Sequence, residues 1–356
     1  MSRRRRIAPV LALGVLAPWA AECSWGGFAL SDYLIVVVFL GPLYGGAAVL
    51  IREVVRRTGG GWPQIALLGC AFGMYQAGLV DQALFNLDYL SDTEYADLAS
   101  DPRATLVPGL EFSAADALNY VGNHIVLSIC VPIAIVESLV APDRRREPWL
   151  GRWGLAVVGV LFVLGSLLIH SDAAKGFTAE PHQLGFAVVV VVALIVVAVL
   201  TPLPTLERRF AWRWPRPSAW SRSDARPAPR PFWSAVVTLA AAATAGVVPG
   251  WGGVALFAGA IGVAVVVVVR WSRRPGWDQR HVLAAFSGPL VLVAAYAYVV
   301  PNYAPASPTE ALIGDLAISV VTLALLVPAF WRLRHEERVA ARPIDEQATS
   351  SEGADR

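Results

Sequence analysis

Residues 186–200 read FAVVVVVALIVVAVL, an unbroken run of apolar side chains. A helix needs ~20 such residues to cross the ~30 Å hydrocarbon core of a bilayer, and the run lies within an apolar segment at 183–202. A helix that is apolar on every side suits a position facing lipid. Residues 262–269, GVAVVVVV, have the same character.

Working outward, similar segments recur at 7–24, 33–51, 62–86, 117–141, 153–170, 232–248, 253–269, 282–300 and 311–331. Composition agrees. The 356 residues are 56% hydrophobic and 16% charged, with a mean hydropathy of +0.54, whereas soluble domains carry about 25% charged residues. These features exclude a soluble globular protein. They predict an all-α, polytopic transmembrane bundle of about ten spans over residues 1–335, with a polar, disordered tail at 336–356.

Charge sets the expected orientation. Ten alternating spans with Arg3 to Arg6 in the cytoplasm put 27 of the 29 basic residues on the cytoplasmic side, leaving Arg103 and Lys175 outside. Such asymmetry is the normal topogenic signal. Both termini are therefore expected in the cytoplasm and the chain in the cell membrane. The start, MSRRRRIAPVLALGVLAPWAAEC, resembles a signal peptide. Glu22, directly before Cys23, spoils the small-residue cleavage pattern, so a retained helix is expected.

The longest outside loop, 88–116, holds seven acidic residues against one arginine. Ser91 with Glu94 has the spacing of a capping box and predicts a short helix there. Ser113 with Asp116, and Ser307 with Glu310, predict helix starts for the fourth and tenth segments. The cytoplasmic stretch 205–231 mixes Arg, Trp and Pro, a composition suited to anionic lipid. Cys23, Cys70 and Cys130 show neither a disulfide framework nor zinc-ligand spacing. Nucleotide-binding and hydrolase motifs are missing, and neither cofactor nor nucleic-acid partner is expected.

Intramembrane polar residues concentrate in 33–141, beside Gly41-Pro42, Gly45-Gly46, Gly69 and Gly73. Small residues permit close helix approach, so segments two to four are expected to form the inner core. Gln76, Asp81 and Gln82 lie in the third segment and Asn119, Asn123, His124 and Glu137 in the fourth, while Asp315 begins the tenth. At 1.5 Å per residue Asp81 is ~7.5 Å and His124 ~10 Å from the outer ends of antiparallel helices, so both are expected at one outward-facing cavity. Regular helical spacing puts Asn119, Asn123, Cys130 and Glu137 on one face, with His124 and Ser128 on another. Glu137 is also placed to neutralise Arg52. Ionisable groups inside a bilayer are costly and mark functional sites. Three roles stay open: binding or transport of an unidentified small polar solute, an intramembrane enzyme using Asp81 and His124, and a structural subunit.

The segments LIREVVRRTGGGWPQIALLGCAFGMYQAGLVDQALFN and NHIVLSICVPIAIVESLVAPDRRREPWLGRWG resemble uncharacterised multi-pass membrane proteins of actinobacteria, over about residues 30–155. That resemblance implies no activity. A comparison with intramembrane CAAX-type proteases fails at Tyr75-Gln76-Ala77-Gly78, where their glutamate pair and arginine are missing.

Overall fold

A computed structural model describes residues 4–96, 101–173, 176–201 and 226–340. The expected lipid-binding stretch at 205–231 lies outside the described residues up to position 225, as does the tail beyond 340. Eight described helices are long and apolar enough to span a membrane: α2 (Leu30–Arg57), α3 (Trp62–Val80), α4 (Ala114–Leu139), α5 (Arg152–Asp172), α6 (Pro181–Leu200), α8 (Gly250–Ser272), α9 (Gln279–Val299) and α10 (Pro308–Val339). Two shorter apolar helices, α1 (Ile7–Cys23) and α7 (Pro231–Ala242), fill the first and seventh places. The described strand is one small hairpin pairing Leu106–Val107 with Phe112–Ser113.

Burial follows the polar pattern. In α3 and α4, 61% and 67% of the apolar window is buried, against 17% in α6 and 6% in α8. α1 joins the inner set, burying Leu13, Ala17, Trp19 and Cys23. The helices meet where side chains are smallest. A Cβ added to Gly45 would lie 2.6 Å from the Gly14 backbone, and one on Gly73 would lie 2.8 Å from the Val121 carbonyl oxygen. Lipid tails give apolar helices no solvent-driven reason to associate, so such close backbone packing carries the interface. Gly69 is looser, with Ile129 at 3.6 Å.

The inner helices are not regular. Each of α1 to α4 contains a π-helical stretch: Trp19–Cys23, Gly41–Gly45, Gln76–Val80 and His124–Cys130. Pro18, Pro42 and Pro132 sit at or beside three of them. A proline lacks the N–H that would bind the carbonyl four residues back, which loosens the helical ladder locally. The stretch in α3 has no proline and contains Gly78.

Several expected boundaries move. The third segment does not continue to 86, because helix α3 stops at Val80. Asp81 accepts a hydrogen bond from the Ala83 N–H at 3.0 Å, and Gln82 takes a left-handed φ of 56°. That conformation is costly for a non-glycine residue and ends the helix. The helix expected from Ser91 is not formed over 91–96. Ser91 Oγ donates to the Asp88 carbonyl at 2.7 Å, closing a turn. The other two starts are formed: Ser113 Oγ accepts from the Asp116 N–H, and Ser307 and Glu310 cap each other. The last helix runs past 335 to Ala340, where Glu336 pairs with Arg332 one turn earlier and with Arg145.

Candidate functional site

The two ends of the inner bundle treat charge in opposite ways. At one end Arg52, Glu53, Arg56 and Glu137 are buried together. Glu137 accepts from Arg52 Nε at 3.2 Å and from Arg56 Nε and Nη2 at 2.9 and 2.7 Å. Glu53 accepts from Arg52 at 2.9 Å, from Arg57, and from the Trp149 and Leu150 N–H groups. The Arg52 guanidinium also lies 3.4 Å over the Trp149 ring, and its remaining nitrogen donates to the Arg145 carbonyl. Buried charges persist where they are paired and fully hydrogen-bonded. The expected neutralisation of Arg52 by Glu137 is thus present, within a larger network. Glu137 is part of this scaffold, at the opposite end from Asp81.

At the other end the π-helical stretches of α1 and α2 both pack on the one in α4, while the stretch in α3 packs on α5 and α6. The first supplies Glu22, the second Tyr44, the third Gln76, and the fourth His124. A π-helical turn carries an extra residue, and such turns cluster at functional sites. Tyr44, nearly fully buried, donates its hydroxyl to Glu22 Oε1 at 2.6 Å. Its ring lies 5.6 Å from the His124 imidazole and 5.9 Å from Phe72. Asp81 follows the third stretch directly and accepts from Gln76 Nε2 at 3.2 Å. It lies close enough to Glu22 for the two carboxyl groups to interact. The other amide atom of Gln76, Oε1, is buried and has no hydrogen-bond partner among the described residues.

Loop residues roof this end. Tyr303 holds the roof to the bundle: its N–H donates to the Gly27 carbonyl at 2.7 Å and its carbonyl accepts from Glu94 at 3.1 Å. Trp25, Phe28, Tyr95 and Tyr303 pack edge-to-face with centroids 5.1–6.5 Å apart. Burial, then the nearby Asp81 and Glu22, push the Tyr89 phenol above its ordinary value. Burial, then Glu22 and neighbouring tyrosines, do the same for Tyr303. Tyr89 therefore senses both carboxyl groups, and Tyr303 senses Glu22.

The residues singled out from sequence divide accordingly. Gln76 and Asp81 are hydrogen-bonded to each other. His124 bonds Ser128 one turn on, at 3.2 Å, which preserves the stripe expected for that pair. Asp81 and His124 have separate partners and no mutual hydrogen bond among the described residues. Gln82 is buried but turned away, its Oε1 accepting from the Ala179 N–H at 2.7 Å. Asn119 and Asn123 are exposed, whereas Cys130 and Glu137 are buried. The single face expected for these four fails because the π-helical stretch at His124–Cys130 lies between the pairs and rotates one against the other. Asp315 is half-buried near Tyr33 and has no hydrogen bond or ion pair with Asp81 or His124 among the described residues, so it stands apart from that pair. Glu22 and Tyr44 were missed as site residues. The signal for Glu22 was available, since a carboxylate near the end of a retained apolar helix invites the same question as Asp81.

The sequence pattern of an uncharacterised membrane protein family matches residues 11–335. Comparison with curated proteins and with solved structures gave no match.

Proposed function

The chain belongs to an uncharacterised membrane protein family, and from its own geometry we propose that it binds a small polar solute at an outward-facing site, as a carrier or receptor does. One observation carries this reading. Four helices lose regular geometry, and each break carries a polar side chain at the same end of the bundle: Glu22, Tyr44, Gln76 and His124. Packing alone gives no reason for these breaks to share one end. Irregular backbone at membrane depth is tolerated where it is enclosed by protein or lines a hydrated site. The basic-residue asymmetry supports ten crossings, cytoplasmic termini and a plasma-membrane location, with the Glu22–Asp81 end outside and the Arg52–Glu137 end inside. The same orientation leaves the Arg-rich cytoplasmic surface against anionic lipid. An enzyme would need Asp81 and His124 at one reacting atom. Their separate partners favour binding over acid–base chemistry.

Thiol accessibility tests the reading. In a background with Cys23, Cys70 and Cys130 replaced by alanine, single cysteines at Glu22, Asp81 and Tyr89 should react with a membrane-impermeant methanethiosulfonate added outside intact cells. A cysteine at Ala193, on the exposed face of α6, should not. Protection of all three site positions, or labelling only after the cytoplasmic side is opened, overturns the outward-facing site.

A further inference from the structure

Resting on the outward-facing site just described, we infer that its ligand is an organic cation with N–H donors, a protonated amine, held by Glu22, Asp81 and the unpaired Gln76 oxygen beneath the Trp25–Tyr95–Tyr303 roof.

The contrast between the bundle ends points to this class. At the arginine end each buried carboxylate faces guanidinium groups: Glu53 pairs with Arg52 and Arg57, and Glu137 with Arg52 and Arg56. At the other end Glu22 and Asp81 have no ion pair among the described residues. Glu22 receives a tyrosine hydroxyl, and Asp81 an amide N–H from Gln76 and one from Ala83. Neutral donors leave the carboxylates without a counter-charge, and a buried charge without one is costly.

The second observation is independent of charge. Gln76 is 1% exposed, and its Oε1 has no donor among the described residues although its Nε2 is committed to Asp81. Exchanging the two amide atoms would set oxygen against the Asp81 carboxylate, so the hydrogen-bond pattern fixes the orientation. A buried, unpaired acceptor beside the Asp81 carboxyl group, which itself feels Glu22, calls for a donor bearing positive charge. Among the described residues no three His, Cys, Asp or Glu side chains converge as metal ligands, and hard metal ions need more oxygens than this set offers. An ammonium group supplies three N–H donors in a compact charge. The roof adds Trp and Tyr rings at the same end, and such rings attract cations.

The test uses the purified full-length protein in lipid nanodiscs, with ethylammonium chloride, tetramethylammonium chloride and sodium propionate as probes and sodium chloride as the reference. Ethylammonium should raise the unfolding temperature saturably. Glu22→Gln and Asp81→Asn should each weaken that effect at least tenfold in apparent affinity. Tyr95→Leu, which leaves the carboxylates intact, should weaken it about threefold and serves if the acidic-site variants do not fold. Tetramethylammonium, which lacks N–H donors, should bind at least tenfold more weakly. Saturable binding of propionate at the site, or equal binding of tetramethylammonium, overturns the amine inference while leaving an outward-facing site standing. No ethylammonium effect beyond sodium chloride also overturns it. The thiol-labelling result then decides separately whether the site itself survives.

Discussion

Replacing Glu137 with glutamine should destabilise the protein by about 3–5 kcal/mol, the range for breaking one partner out of a buried ion pair. The magnitude follows from the geometry. Glu137 is 1% exposed and accepts three charged hydrogen bonds, from Arg52 Nε and from Nε and Nη2 of Arg56. Glutamine keeps one acceptor oxygen and places an NH2 donor against a guanidinium. Arg52 retains Glu53, whereas Arg56 retains the Gly60 carbonyl at 3.2 Å and the Trp62 ring at 6.0 Å, but no carboxylate among the described residues. The loss therefore falls mainly on Arg56, which leaves a buried cation without its counter-charge. At 1.4 kcal/mol per tenfold, this is a shift of roughly 10²- to 4 × 10³-fold in the folding equilibrium. Glu336→Gln is the matched control. Its side chain is 24% exposed and pairs with Arg145 and Arg332 near the surface, where an ion pair contributes about 0–1 kcal/mol. Reversible unfolding in mixed micelles, followed by tryptophan fluorescence, compares the two. Equal losses would refute the claim that the buried network, rather than charge content at this end, holds α2 to α4. Replacing Arg56 together with Glu137 by methionines should restore much of the stability, since a buried pair exchanged for apolar groups is often neutral.

Three further outcomes are expected. Gly73→Ala should cost about 1–3 kcal/mol by overpacking, because its Cβ would lie 2.8 Å from Val121 O, while Ala193→Leu on exposed α6 should be neutral; similar melting of both variants contradicts the close-approach argument. A cysteine introduced within 205–231 should be inaccessible to impermeant reagents outside the cell, and labelling there would refute the proposed topology. Asp278 titrates favourably in the fold: burial would raise its carboxyl, but hydrogen bonds from Arg280 and His281 and the Arg280 charge hold it below the ordinary value. Its folded-state depression contributes stability above the unfolded value of about 3.9, lost as pH falls through the folded one. Asp278→Asn should therefore flatten the acid limb of the stability curve below about pH 4, and an unchanged limb would count against that pairing.

Sequence determined the membrane class, the ten apolar helical segments and the grouping of polar residues in the first third of the chain, because hydrocarbon demands long apolar helices and penalises charge wherever it stands. The caps at Ser113 and Ser307 were legible for a related reason: the hydroxyl and the N–H it satisfies are three residues apart. The Arg52–Glu137 pairing was readable from depth alone, yet Glu53, Trp149 and Arg145 joined it only through folding. What tertiary structure decided was which polar residues face one another. Regular spacing requires 3.6 residues per turn throughout α3 and α4, and the π-helical stretches at Gln76–Val80 and His124–Cys130 break that period. Each extra residue rotates everything beyond it by about 100°. Asn119 and Asn123 consequently part from Glu137, and α3 ends before Gln82, which turns to Ala179. Glu22 and Tyr44 meet across 22 positions of chain, because Gly14 and Gly45 let α1 and α2 touch backbone to backbone. Local pattern encodes each helix, but only the packed bundle sets the phase between them.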